Sequence, residues 1–323
     1  VYDEPGADGW ADIGHMKADG SDKRQLTHNN PKIPQLHCGN PAWHPSGKYI
    51  VFQALDPAIK GPMASTFVYK VYTSPGAGVH NNLWLATADG KGAWQLTNLG
   101  RGEGVLHPHF SRDGKLLVWS EMFSTKPTGR GSWKLKFADF SIEKGKPKLA
   151  NIRSLRPGKL QFYEVHSFFP KDTELLFTGM PFGGGAKDFT IYRYHLETKE
   201  LTALTDPKDE HTDEHAQVSP DGKSIIWMSS AGTGIRPWQL NLFMAWTEYW
   251  MMNTDGTNRQ RLTWFSKRKS AHWQKGKGKH KRYHRARVIA SDGSWSPDGT
   301  KFVGYVQIDS SIKHPGSIVV FEP

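Results

Sequence analysis

Apolar and polar residues alternate along this chain in short runs, separated by Gly, Pro, Asp and Ser. Such alternation predicts half-buried strands joined by tight turns, and no stretch keeps the spacing of a long amphipathic helix. The clearest run is Leu106-His107-Pro108-His109-Phe110-Ser111-Arg112-Asp113-Gly114-Lys115-Leu116-Leu117-Val118-Trp119. It recurs with drift at residues 42–52, 168–177, 217–227 and 294–305, with Thr173 where the other copies carry glycine. Each copy predicts a strand, a turn that needs Gly or Asp for its backbone angles, and a second strand rich in β-branched and aromatic residues.

A second pair of strands lies between these hairpins. Residues 13–20 lead to Arg24-Gln25-Leu26-Thr27, and 83–90 lead to Trp94-Gln95-Leu96-Thr97. Residues 191–196 lead to Leu201-Thr202-Ala203-Leu204-Thr205, and 249–256 lead to Arg259-Gln260-Arg261-Leu262-Thr263; 133–140 followed by 150–153 is the most worn copy. Four strands per repeat predict an all-β fold, a β-propeller of four-stranded blades over one domain, 1–323. Five repeats are visible and a sixth blade stays open, with the N- and C-terminal strands closing the ring. Residues 317–321 read as an extra strand, and 66–72 as part of a further blade.

The first-to-second and third-to-fourth connections are tight Asp-Gly turns, which share one face of a propeller. The long connections, 54–81, 122–132, 179–187, 230–247 and 264–290, fall on the opposite face, where binding usually resides. Formal net charge is +11, and its excess is local. The insertion at about 264–290 holds Lys267, Arg268, Lys269, Lys275, Lys277, Lys279, Lys281, Arg282, Arg285 and Arg287; removing these ten from 42 Lys and Arg leaves 32 against 31 acids. Lys277, Lys279, Lys281 and Arg282 are candidates for a polyanion, such as an acidic glycan. Single Cys38 excludes an internal disulfide framework, and no apolar run is long enough to span a membrane. The chain begins at Val1 without a methionine or a leader, which suits a processed mature protein or a trimmed sequence and points toward export, periplasmic or secreted.

Aligned on the turns, one slot holds Asn40, His107, His166, His215 and Asp292 in successive repeats. It lies at the start of the innermost strand, where positions from different blades converge. Three imidazoles there, with Glu164, Asp213 and Glu214 nearby in sequence, suit zinc, manganese or iron. His109 could extend the site. Trp238, Phe243, Trp246 and Trp250 are candidates for a sugar platform or partner surface. Gly183-Gly184-Gly185 has no strand-to-helix context, so it predicts a loop and not a phosphate cradle.

The Ser-Pro-Asp-Gly turns, and the Ala-Asp-Gly turns followed by Gln-Leu-Thr, resemble those of the TolB-like β-propeller family from about residue 13 to 306. That resemblance implies six blades and an exported binding or scaffold subunit whose long loops hold a protein partner. One precedent is a cofactor-free propeller subunit of a periplasmic redox complex, as in hydrazine synthase. The alternative it implies is a metal-dependent polysaccharide lyase similar to oligogalacturonate lyase. His107, His166 and His215 would hold the metal against a uronate carboxylate, with Gln217 as the weaker counterpart of the glutamine ligand that such lyases carry, and a loop lysine or arginine would take the adjacent proton.

Overall fold

A computed structural model of the chain describes residues 1–59, 66–125, 131–235, 246–267, 288–308 and 317–323. Its strands form six antiparallel sheets, each a meander of consecutive strands. The first is β1 (Tyr2–Pro5), β2 (Ala11–His15) and β3 (Arg24–Gln25). The second is β4 (Cys38–Trp43), β5 (Tyr49–Leu55), β6 (Asn81–Thr87) and β7 (Ala93–Gln95). The third is β8 (Gly104–Phe110), β9 (Leu116–Ser124), β10 (Ser132–Glu143) and β11 (Lys146–Leu155). The fourth is β12 (Phe162–Phe168), β13 (Glu174–Met180), β14 (Thr190–His195) and β15 (Leu201–Ala203). The fifth is β16 (Asp213–Val218), β17 (Ser224–Ser229), β18 (Glu248–Asn253) and β19 (Gln260–Arg261). The sixth is β20 (Val288–Trp295), β21 (Phe302–Ile308) and β22 (Ser317–Phe321).

The fold is an all-β propeller of six blades. The N-terminal pair β2–β3 forms a sheet with β1, and the extra strand at the C-terminal end is the third strand of the last sheet. Residues 66–72, expected as a strand, hold a short helix, α1 (Phe67–Tyr72), because Thr66 caps it by accepting Tyr69 N–H at 3.2 Å. Packing separates two compact units, Val1–Arg156 with Gln161–Val165, and Pro157–Leu160 with His166–Pro323.

Two local devices repeat. In the Ser-Pro-Asp-Gly turn, Gly222 N–H donates to Ser219 O at 2.9 Å and Ser219 N–H to Ser224 O at 2.8 Å. Asp221 Oδ1 accepts from Ser219 Oγ at 2.6 Å and from Lys223 N–H at 3.1 Å, which draws its pKa below the usual carboxylate range. Gly222 sits at φ 73°, where a Cβ is costly. In the fourth sheet Asp172, not Thr173, takes the glycine place: its φ is 57° and its N–H closes on Phe169 O at 2.9 Å.

The second device explains the Gln-Leu-Thr signature. Leu26 N–H donates to Ile13 O at 2.8 Å, and Thr27 Oγ1 accepts Ile13 N–H at 2.9 Å. Leu96 and Thr97 grip Leu83 in the same way at 2.7 and 2.9 Å. Leu204 and Thr205 grip Ile191 at 2.8 and 3.0 Å, and Leu262 and Thr263 grip Tyr249 at 2.8 and 2.9 Å. One Leu-Thr pair thus satisfies both backbone groups of one third-strand residue although the fourth strand is only two or three residues long. The hydroxyl hydrogen passes to the preceding side chain, Asp12 at 2.9 Å, Asn82 at 2.9 Å or Glu248 at 2.7 Å. The third sheet has no such pair, and there β11 runs ten residues, so Leu135 is held by the ladder opposite Leu155.

Thr97→Val keeps the side-chain shape but leaves Leu83 N–H and Asn82 Oδ1 without this partner. Urea unfolding is expected to show a loss of about 1–3 kcal/mol. A change under about 0.5 kcal/mol, the size expected of an ordinary surface substitution, would contradict the clamp.

Candidate functional site

In the first unit, β8 carries an extra residue where Leu106 faces Ser120 but His109 faces Val118. The bulge places His107 at φ 47°, a left-handed conformation that costs a residue with a Cβ and that His and Asn enter more readily than most. His107 is buried, and its Nε2 lies 3.4 Å from Oε1 of buried Glu164, in the part of β12 that belongs to this unit. The extra residue also breaks strict alternation. His109 is half-buried and in step with Leu106, so parity does not join it to His107. Asn40 occupies an equivalent bulge in β4 at φ 48°. Its amide donates to Gln53 Oε1 at 2.8 Å and Pro75 O at 3.0 Å, so it ties the insertion after β5 to the inner strand.

In the second unit, β16 has the same bulge, with His215 at φ 52°. Its Nδ1 lies 2.7 Å from Asp292 Oδ1. The His166 ring is 5.8 Å from that of His215 between centroids. His166 is buried, and its Nε2 meets Thr178 Oγ1 at 2.8 Å while that hydroxyl donates to Asp213 O at 3.2 Å. The proton is therefore on Nε2 of His166 and the lone pair on Nδ1. Gln217 points its amide N–H at His166 O, 3.3 Å away, and its own carbonyl accepts Trp295 Nε1–H at 3.1 Å. Burial raises the Asp213 carboxyl pKa, and Trp227 Nε1–H donates to it at 3.0 Å.

Counting along the chain misplaces one member of this set. His107 and His215 lie four residues before Ser111 and Ser219, whereas Phe169 is the residue whose N–H closes the fourth-sheet hairpin, on Glu174 O, so His166 lies three before it. No residue of β12 has left-handed angles, so that strand lacks the left-handed residue that His107 and His215 supply in theirs. Thr178, which fixes the His166 tautomer, carries no signal in sequence.

Trp238, Phe243, Lys277, Lys279, Lys281 and Arg282 lie outside the described residues. Trp246 is half-buried, and Trp250 packs on Trp227 and the fifth-sheet core, so it is no surface platform. Sequence reasoning missed other aromatics. In the β5–β6 connection, α1 presents Phe67, 62% exposed, and Val68, 63% exposed, and buries none of its residues. In the second unit Phe182, in the β13–β14 connection, is 56% exposed. At the end of β9, Phe123 lies between the Lys134 ammonium and the Arg156 guanidinium, each 5.3 Å from its ring centre. Polar contacts tether the inner side of the α1 helix. His37 Nε2–H donates to Lys70 O at 2.9 Å while His37 Nδ1 accepts Ala11 N–H at 3.0 Å, and Lys70 Nζ sits 4.2 Å from the Trp10 ring centre.

The six-sheet plan is shared with solved structures at low identity. A protein assigned as TolB from Agrobacterium tumefaciens is 18% identical, with a TM-score of 0.57, over 93% of this chain and 80% of that one. TolB from Acinetobacter baumannii is 15% identical, with a TM-score of 0.57, over 95% of this chain and 59% of that one. Kuenenia stuttgartiensis hydrazine synthase is 11% identical, with a TM-score of 0.61, over 97% of this chain and 40% of that one. No family model and no curated protein matches the chain. The fold is therefore a TolB-like β-propeller. Among the described residues no helix is long and apolar enough to cross a membrane.

Burial draws the His37 pKa from 6.5 down to about 4. Between those values the unfolded chain binds a proton that the folded chain refuses, so stability is full above about pH 6.5 and falls as pH drops toward about 4. An NMR titration of the His37 ring should show a midpoint near 4, and a midpoint near 6.5 would contradict the tether of α1 through a neutral imidazole.

Proposed function

We propose that this chain is an exported, periplasmic binding scaffold, a propeller subunit that holds a protein partner on its long connections. The observation that carries this reading is α1, a helix that buries none of its own residues and turns Phe67 and Val68 to solvent. Exposed aromatic and aliphatic side chains on a well-anchored segment are the usual core of a protein-binding patch. Phe182 and the cation-flanked Phe123 extend the same chemistry to other second-to-third-strand connections within their own units. The partner presents an apolar surface that accepts aromatic rings, and a cofactor-bearing redox subunit is one such partner, as the likeness to hydrazine synthase suggests. This chain spans only 40% of that synthase chain, so no activity of the whole is carried over.

The test is a photo-crosslinking amino acid at position 67 or 182, compared with position 115 or 223 in the tight turns, in living cells of the native host. One partner protein captured from 67 or 182, at a yield that Val68→Asp lowers severalfold from 67, is the expected result. Equal capture from the turns, or none from either place, would overturn the reading.

A metal-dependent lyase acting on acidic glycans is the second reading. It is favoured by the outer partners of two imidazoles, Asp292 on His215 and Thr178 on His166, which orient rings as the surroundings of metal ligands do. The donors suit zinc, manganese or iron, and a bound ion would neutralise a uronate carboxylate. Elemental analysis after incubation with zinc or manganese decides it. Stoichiometric metal lost on His166→Ala or His215→Ala, with His107→Ala tested alongside, supports it; no retained metal in the unaltered chain contradicts it.

A further inference from the structure

Residues 132–159 hold eight Lys and Arg against two acids, a second concentration of positive charge besides the insertion at about 264–290. The two acids are spent within the β10–β11 hairpin, where Glu143 takes Lys148 at 2.9 Å and Asp139 takes Arg153 at 3.4 Å. Lys134 and Lys136 turn to β9 instead. Register sets Lys134 opposite Glu121 and Lys136 opposite Trp119. Glu121 Oε1 meets Lys134 Nζ at 3.1 Å and Lys136 Nζ at 3.7 Å, and its Oε2 accepts Trp119 Nε1–H at 3.1 Å.

Two ammoniums thus share one carboxylate oxygen, and among the described residues no other carboxylate lies within ion-pair distance of either. The lysine side chains keep only 23% and 18% of their surface, where water screens poorly, so their mutual repulsion is not fully offset. Beside them stands Phe123, 38% exposed, with the Lys134 ammonium and the Arg156 guanidinium each 5.3 Å from its ring centre. An added carboxylate would offset the excess charge. Cations over the ring compete with a sugar for its faces, which favours a carboxylate next to an apolar side chain over a stacked glycan.

We propose that Phe123, Lys134 and Lys136 form a docking site for an acidic, extended segment of a partner protein. An Asp or Glu carboxylate of that segment sits on the Lys134 ammonium and shares it with Lys136, and an apolar side chain two residues away covers Phe123. Side chains two apart on an extended chain point the same way and lie about 7 Å from each other. That matches the scale of the 5.3 Å between the Lys134 ammonium and the ring centre. The inference rests on the reading of this chain as a protein-binding scaffold and adds the chemistry of the partner at the third sheet.

The probe is a fluorescent peptide of the repeat Glu-Ser-Leu-Ser, titrated with the intact chain by fluorescence anisotropy at low salt. Saturable binding is expected, about fivefold to tenfold weaker in Lys134→Met or when the peptide's glutamates become glutamine. Serine in place of the peptide's leucines should weaken it severalfold, as should Phe123→Ala. Glu121→Gln removes the internal competitor for both lysines and should tighten it. Lys146→Met and Lys148→Met, at the turn end of the same hairpin, should change it by less than about twofold. An equal loss there would mean unspecific attraction to net charge and overturns the site. Should Lys134→Met fail to fold, the altered peptides decide the matter on the unaltered chain. No saturable binding, equal binding of the altered peptides, or tighter binding of a galacturonate oligomer, which would make an acidic glycan the ligand, overturns the proposal. Capture of a partner from position 67 or 182 alongside any of these results faults this site alone and leaves the scaffold reading standing.

Discussion

A short outermost strand is a physical problem that four of the six sheets have to solve. Two or three residues cannot hold a strand by ladder bonds alone, and the third-strand residue they should cover has an N–H and a C=O that must be paired where it is buried. The Leu-Thr clamp solves it with a backbone donor from one residue and a hydroxyl from the next. Because the same hydroxyl hands its hydrogen to Asp12, Asn82 or Glu248, the clamp also satisfies a polar side chain at the blade margin. Glu248 shows how far this goes: it is 0% exposed and accepts from Thr263, Ser266, Phe265 N–H and Arg261. A buried carboxylate survives there because nearly all its lone pairs are used.

Much of this was legible in the chain. The turns were readable because Ser, Asp and Gly each meet a local backbone demand, and the Gln-Leu-Thr repeats marked the fourth strands before their purpose was visible. What could not be read was anything that inserts or removes a residue. The bulges at Asn40, His107 and His215 leave hydrophobic alternation looking regular on both sides, so parity put His109 beside His107 and counting put His166 one place out. Thr173 looked like the glycine substitute because it follows the aspartate, whereas the hydrogen bond to Phe169 O selects Asp172. Residues 66–72 alternate well enough for a strand, and only the Thr66 cap decides for helix.

The histidines and the exposed apolar residues have different physical standing. His107, His166 and His215 are buried or nearly so, each beside an oxygen-bearing side chain, and Thr178 sets the proton of His166. Their left-handed backbone at two positions is a local cost that packing maintains. Phe67, Val68 and Phe182 leave more than half of their surface in water, and that part counts toward stability only when something covers it. Ile318 and Val320 belong to that second group by exposure.

Native-state hydrogen exchange tests that account most directly. Amide protons of Ile13, Leu83, Ile191 and Tyr249, each held by a threonine hydroxyl, should exchange only with large-scale opening, and that of Leu135, held by the β11 ladder, should do the same. In Thr97→Val the Leu83 amide should exchange about tenfold faster or more, while Ile13, Ile191 and Tyr249 keep their protection. Unchanged protection of Leu83 in Thr97→Val would contradict the clamp.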